Sequence, residues 1–296
     1  MKVSQVCGNT WVIEAEELIP FYRLPEGRCI LLDSGLVEER QGILEALGRE
    51  GLTPIGILCS HAHVDHCANN QFFQQEYHVP VALTAPEAGM CSSIMTLKCY
   101  FLTLSPGTVE RESGCMVHTP DVIIPPEDGI MEFVGANFQI VHTPGHSAGH
   151  VAVVTPDDVC YVGDAVLSWE LMEAKLPYEL HHRAAKASRE KLKNLNCEWY
   201  IMAHRGVCAR EEMNRLIEAN QELLRRRTQE VLELINDPMT FSQINEKVCV
   251  FYKLFTKTPR RALRFERNIR FFVEYLLDEG KLSMDCCKGT VTYQRT

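Results

Sequence analysis

His61, His63, Asp65 and His66 fall within six residues, directly after the apolar run Ile55, Gly56, Ile57, Leu58, Cys59. Imidazole and carboxylate are the groups that divalent zinc, iron or manganese accept as ligands. In an extended stretch, residues two apart project to the same side, so His61 and His63 can face one ion together. Asp65 and His66 lie where the chain should leave the strand, and can address a second ion beside the first. The plainer explanation, a cluster satisfied by structural hydrogen bonds, leaves three imidazoles and a carboxylate crowded at a buried strand end without a purpose. The cluster is read as a metal site.

Four ligands are too few for two ions, and the later sequence offers more. The segment from His142 through Thr143, Pro144, Gly145, His146, Ser147, Ala148 and Gly149 to His150 follows an apolar stretch. A proline and glycine turn there can present His146 inward. Asp164 follows the apolar run ending at Val162 and Gly163, and His204 follows Ile201, Met202 and Ala203. Ligands gathered from several strand tips at one sheet edge make a recurrent active-site geometry. His142 and His150 are read as supporting or packing groups. His78, His118, His181 and His182 have no motif around them and are read as ordinary surface or pocket residues. Cys67, next to His66, is assigned to packing, as free cysteines are commonly buried, and Ser147 to the chemistry of the turn.

The elements that would position these groups alternate between strand and helix. Strands are predicted up to Ser34, at 55–59, 79–83, 132–133, 138–142, 150–155, 159–162 and 199–203, and helices at 37–50, 69–76 and 183–195. This is an α/β rhythm. Residues 86–128 lack clear periodicity and are treated as a lid or pocket wall containing some helix. Beyond His204 the pattern becomes helical, at 210–235, 241–251 and 259–277, the last with an apolar stripe of Ala262, Phe265, Ile269, Phe272 and Leu276. Two short strands flank Lys288 and Gly289, so three helices closed by a hairpin give a winged-helix outline over roughly 227–296. The domains are therefore placed at 1–210, catalytic, and 211–296, a C-terminal helical module.

The length of 296 residues suits a main domain with a small appendage, and a 46% hydrophobic content suffices for a substantial core. No apolar run reaches the length of about eighteen residues that a membrane helix requires, so no membrane association is expected. Met1–Thr10 lacks the basic and apolar segments of a secretory signal, and the 13 cysteines show no CxxC pair. A cytoplasmic protein with reduced thiols is expected. A net charge of −9 argues against a protein built wholly to hold nucleic acid. The charge is uneven, since residues 221–296 carry 14 Lys and Arg against 10 Asp and Glu, leaving 16 against 29 elsewhere.

Together, His61-Ala62-His63-Val64-Asp65-His66, His142-Thr143-Pro144-Gly145-His146, Gly163-Asp164 and Ala203-His204 resemble the motifs of the metallo-β-lactamase superfamily, in its order, over residues 1 to about 210. The resemblance implies an αββα four-layer sandwich. It implies that His61, His63 and His146 hold one metal, Asp65, His66 and His204 a second, and that Asp164 bridges them. Zinc is expected in both positions, with iron or manganese also compatible. Two departures are visible: Cys67-Ala68-Asn69-Asn70 stands where many relatives have glycines, and Arg205-Gly206 follows the last ligand.

Two such ions lower the pKa of bound water into the neutral range. The expected enzyme is thus a dinuclear hydrolase whose metal-bridging hydroxide, oriented by Asp65, cleaves a small ester, thioester or lactone. The turn 142–150 is similar to that of glyoxalase II-like thioesterases. A secreted β-lactamase is disfavoured by Asp164, and a flavodiiron reductase by His63. A mononuclear-iron persulfide dioxygenase and an endoribonuclease-like or nucleic-acid-binding protein are the alternatives. The second draws on Arg260, Arg261, Arg264, Arg267 and Arg270, spaced along the third C-terminal helix, whose module is also suited to packing on the core or on a twin subunit in a homodimer.

Overall fold

A computed structural model describes residues 1–296. Strands β1 (Lys2–Cys7), β2 (Thr10–Glu14), β3 (Leu18–Leu24) and β4 (Arg28–Leu32) run as an antiparallel meander. The chain then crosses over through α1 (Arg40–Arg49) to β5 (Thr53–Leu58), and through α2 (Val64–Cys67) and α3 (Asn70–Tyr77) to β6 (Val81–Thr84). A last crossover through α4 (Ala85–Cys91), α5 (Ile94–Tyr100) and α6 (Pro106–Ser113) leads to β7 (Val122–Ile124). Strands β4 to β7 are parallel neighbours and complete a seven-stranded sheet.

The second sheet has six strands in the order β13-β12-β11-β10-β9-β8. They are β8 (Gly129–Phe133), β9 (Ala136–His142), β10 (Val151–Val154), β11 (Val159–Tyr161), β12 (Trp199–Met202) and β13 (Gly206–Ala209). Helix α7 (His182–Lys193) provides the crossover that makes β11 and β12 parallel.

Side-chain alternation produces the layers. In β4, Ile30 and Leu32 face the second sheet, where they meet Phe138, Ile140, Val151 and Val153, while Cys29 and Leu31 pack beneath Ile43 and Leu47 of α1. In β10 the order is reversed: Ala152 and Val154 turn outward to Leu192 of α7 and to Met213 and Leu216. Both sheets are therefore apolar on both faces, as crossover-covered sheets must be. The result is the αββα sandwich expected from the sequence.

The chain ends in α8 (Arg210–Glu233), α9 (Phe241–Phe251), α10 (Pro259–Asp278) and the hairpin β14 (Leu282–Cys287) and β15 (Thr290–Arg295). Thr240 caps α9 reciprocally with Gln243. Met239 pairs with Tyr293, tying the hairpin to the entry of α9. The division placed at residue 210 coincides with the start of α8, yet no linker lies there. One continuous helix packs Met213, Leu216 and Ile217 against the second sheet and Leu224, Val231 and Leu232 into the terminal core.

One sequence reading is filled in and two need correction. Residues 86–128, read as a wall with some helix, hold α4, α5, α6, a 3-10 turn at Gly114–Met116 and the unexpected strand β7, too short at three residues to show alternation. Strand β13, which follows Arg205, escaped notice because only four residues pair with β12. The buried stripe of α10 comprises Ile269, Phe272, Val273 and Leu276, whereas Ala262 is exposed, because the first turns of the helix run past the terminal core. No helix is long and apolar enough to cross a membrane, and all 13 cysteines are free.

Phe272 is fully buried at the centre of the terminal core. Phe272→Ala should cost about 3–5 kcal/mol through the cavity it leaves, seen as a lowered urea midpoint. Val291→Ala, on the exposed hairpin, should leave that midpoint nearly unchanged.

Candidate metal centre

Every candidate ligand sits just beyond the C-terminal end of a strand. His61 and His63 follow β5, and α2 then places Asp65 and His66 in its single turn. His146 lies in the turn between β9 and β10, Asp164 follows β11, and His204 follows β12. Two glycines make these turns possible. Gly145 has φ +140, and a side chain there would strike the Ala185 backbone of α7. Gly163 has φ +50, and its Cβ would lie 2.6 Å from His150 Nε2.

All seven candidates converge, in two groups that share Asp164. His63 Nδ1 lies 3.0 Å from His61 Nε2 and 2.9 Å from His146 Nε2, with Asp164 Oδ2 3.2 Å from the latter. That crowding suits nitrogens sharing an ion about 2.0–2.1 Å away. In the second group, Asp164 Oδ2 is 3.6 Å from His66 Nε2 and 3.4 Å from His204 Nε2, and Asp65 Oδ2 is 3.9 and 3.5 Å from the same nitrogens. The grouping is the partition implied by the family resemblance. His66 Nε2 and Asp164 Oδ1 are buried without a hydrogen-bond partner. Buried polar atoms left without partners beside converging ligand atoms are the mark of a cation site, and the donor set fits one.

Charge tells the same story. Burial pushes the pKa values of His61 and His146 far down, keeping both rings neutral and ready to donate a lone pair. Burial opposes charge on His66 and His204 as well. There it is outweighed by Asp164 and Asp65, which lift His204 to about 10 and His66 well above its ordinary value. For Asp65 and Asp164, burial is outweighed by the surrounding histidines, so both carboxylates stay ionised. Protons thus occupy part of the position that cations would take.

The outward nitrogens of His61, His63 and His66 are held by partners the sequence did not announce, while that of His146, Nδ1, is buried without one. Asp33 sits at φ +69 after β4, a left-handed conformation that aspartate tolerates better than most residues. Its Oδ2 accepts from His66 Nδ1 at 2.8 Å, Ser60 Oγ at 2.6 Å and Tyr161 OH at 2.6 Å. Ser60 Oγ in turn meets His61 Nδ1 at 3.0 Å. Glu17, buried at the start of β3, lies 3.7 Å from His204 Nδ1, and burial with Asp65 nearby raises its pKa to about 7. Glu87 of α4 accepts from the backbone of Ala62 and Gly149 and from Ser147 Oγ, tying the His61–His63 loop to the His146 turn. Such partners fix tautomer and orientation.

His63 is held by a phenol hydroxyl: Tyr100 OH lies 2.6 Å from its Nε2 and 2.5 Å from Tyr178 OH. Tyr100 ends α5, so the segment read as a lid or pocket wall reaches a ligand directly. It also borders a cavity of about 300 Å³ lined by Pro86, Met90, Cys99, Tyr100 and Ala148. His150 supports rather than ligates: Nδ1 bonds Thr143 Oγ1 and Nε2 accepts from the Asp164 amide. His142 is tied to the Pro125 carbonyl, and Cys67 is buried in the core under the first sheet.

Two histidines depart from the surface or pocket reading. His118 is buried and bonded to Asn70. His182 is buried against Phe272, with neither nitrogen bonded and its pKa pushed to about 3 by burial. The segment lacking glycines is also accounted for, as Asn69 Nδ2 donates to the carbonyls of Ser34, Gly35 and Leu36.

The sequence model of the metallo-beta-lactamase superfamily matches residues 8–204. A probable metallo-hydrolase of Bacillus subtilis is 24% identical over 153 residues, 49% of this chain and 64% of that protein. A hydroxyacylglutathione hydrolase of Serratia proteamaculans is 28% identical over 143 residues, 48% of this chain and 44% of that protein. The match thus spans less than two thirds of either relative. A metallo-beta-lactamase family protein from Thermus thermophilus superposes with a TM-score of 0.70 at 21% identity, covering 97% of this chain and 94% of its own. A beta-lactamase domain protein from Burkholderia ambifaria gives 0.72 at 16% identity, covering 99% and 93%.

Metal uptake should displace the protons held by His66 and His204, so calorimetry in buffers of different ionisation enthalpy should show net proton release at pH 7. The raised pKa of His204 stabilises the metal-free protein below its ordinary value of 6.5, and that contribution is lost as pH rises through about 10. Metal-free protein should accordingly lose stability across this window in thermal melts. Asp33→Ala should weaken metal binding by about 10–100-fold in competition with a chelator.

Proposed function

The chain belongs to the metallo-beta-lactamase superfamily and is a metallo-hydrolase, and we propose on that footing that it is a dinuclear thioesterase acting on small acyl thioesters. The convergence of seven side chains into two ligand groups sharing Asp164 carries the reading. The second group favours two ions over a mononuclear iron centre. Its mixed imidazole and carboxylate donors suit zinc best, with iron or manganese next. His61, His63 and His146 would hold one ion and Asp65, His66 and His204 the other, with Asp164 between them. Bound there, the ions would supply Lewis acidity and bring the pKa of water toward neutrality.

The chain's own groups supply orientation. Asp65 stays anionic, and its side chain is 24% exposed. It can accept a hydrogen bond from an attacking water and hold it in line with a carbonyl carbon. Tyr100, kept protonated by burial and by Tyr178, offers a neutral hydroxyl beside His63. Asp33 keeps the His66 imidazole from turning, Glu17 faces that of His204, and Glu87 of α4 holds the two ligand loops together. No serine or cysteine nucleophile is needed, and the bond to Glu87 leaves Ser147 a structural role. Similarity to hydroxyacylglutathione hydrolases favours a thioester over an ester or lactone.

Matched acetyl esters, thioesters and lactones offered to metal-loaded protein should rank thioesters first by kcat/KM. Asp65→Ala and His146→Ala should each reduce turnover to background and lower metal content by elemental analysis. Retained turnover in either variant refutes the scheme.

A further inference from the structure

A second and larger cavity lies apart from the metal centre. Strand β1 ends the first sheet and β13 ends the second. The space between these two edges, about 730 Å³, is walled by β1, β2, β3, β12, β13 and the turns beside them, and no metal ligand or helix lines it. That volume falls in the range of small-molecule sites. Val6, Val12, Ala15, Leu18, Trp199 and Val207 make its apolar wall. Val12 belongs to the core between the sheets, and Val6, Leu18 and Trp199 pack against that core from its margin. An apolar body seated among them would extend the core outward and gain by leaving water.

The rest of the lining decides what else such a body must carry. Lys2 Nζ and Ser4 Oγ both donate to Glu14 Oε1 at 2.8 Å. Arg205, which follows the ligand His204, pairs with Glu170 at 3.3 Å. The Glu16 carboxylate, in contrast, enters no hydrogen bond or ion pair, and only its amide is engaged, donating to Glu39 Oε1. Glu14, Glu16 and Glu170 thus face only Lys2 and Arg205 around the rim, and the surplus charge is negative. That selects a cation. A further β-strand, from a peptide or from a second copy of the chain, is a poor fit. Strand β1 shifts register between Gln5 and Cys7, and β13 has only four residues. Both features blunt a sheet edge.

We propose that this cavity binds a small organic cation, an aromatic or branched aliphatic body carrying one ammonium group, at a site separate from the metal centre. The body would lie against Val12 and Trp199, and the ammonium would meet Glu16. Terminally phenylated butylamine, butanol and butyrate share one body and carry positive, no and negative charge at neutral pH. Titrated into zinc-loaded protein, the amine should move the Trp199 indole N–H resonance saturably. The resonance of Trp11, which packs under the helices on the other face of the first sheet, should stay in place. The amine should bind about threefold tighter than the alcohol, as a partly exposed ion pair supplies, and the carboxylate should bind weakest. Glu16→Gln should remove the difference between amine and alcohol while both still bind. Val6→Trp should fill the cavity and abolish binding of both. Val207→Trp, at an exposed position of the same wall, serves if Val6→Trp does not fold.

No saturable movement of the Trp199 resonance with amine or alcohol overturns the site, as does a carboxylate that binds as tightly as the amine. An amine preference that survives Glu16→Gln removes the charge argument and the proposal with it. Binding that survives the filling variant puts the amine elsewhere, on the metal ions or on the surface, and also overturns the site. Movement of the Trp199 resonance with protein concentration alone, lost in Val207→Trp, identifies a second copy as the occupant and overturns the cation. The thioesterase reading is tested separately, because no metal ligand lines this cavity.

Discussion

Burying imidazoles and carboxylates at a sheet edge is costly unless every polar atom finds a partner, and this requirement shapes the whole region around the strand tips. A ligand histidine has two nitrogens to satisfy. One is reserved for the cation, so the other needs a fixed acceptor or donor within the protein. Asp33 meets that need for His66 directly and for His61 through Ser60. The hydroxyl of Tyr161 joins the same carboxylate oxygen from the opposite sheet. The two halves of the sandwich are thereby locked in register at the point where both deliver ligands. Arg189, fully buried and paired with Glu179, adds a bond to the carbonyl of Ala165, next to Asp164. The polar centre is held from behind on several sides before any ion arrives.

The ligands themselves were legible in the sequence and their supports were not, for a reason of distance along the chain. His61, His63, Asp65 and His66 lie within one turn and announce themselves by spacing alone. His146, Asp164 and His204 each follow an apolar run, so the strand tip could be inferred. Asp33 contacts groups 27, 33 and 128 positions away, and nothing near it in the chain marks it as more than a turn residue. Its only local signal was its place at the end of a buried strand, a position equivalent to those of the ligands. Glu87 and Tyr100 were hidden in the stretch with the weakest periodicity. Strands β7 and β13 were missed for a related reason, being too short for a period of two to be counted.

The terminal module was readable as a set of helices and a hairpin, but its relation to the site was not. A helical stripe predicts which face is buried and says nothing of what it is buried against. Phe272 and Ile269 meet the module's own core, while Phe271, next in sequence, meets Tyr178 beside the metal ligands. Neighbouring side chains on one helix thus serve two different cores. The continuity of α8 makes the arrangement firm, because it shares its length between the sandwich and the module. The basic character of α10, which composition alone would turn toward a polyanion, is mostly spent on Glu112, Tyr178 and Phe241.

Glu87 has a wider consequence. It stands in the first turn of α4, ahead of the wall that continues through α5 and α6, and it binds both loops that carry His61, His63 and His146. The anchor of the ligand loops and the enclosure that shapes the cavity therefore occupy one crossover and overlap in it, since Glu87 lines the cavity beside Pro86, Met90 and Tyr100. Exchanges in this crossover therefore reach the ligands as well as the cavity, since Tyr100 bonds His63 and Glu87 holds both ligand loops. A lineage built on this plan cannot redraw its diet in this wall without touching its chemistry.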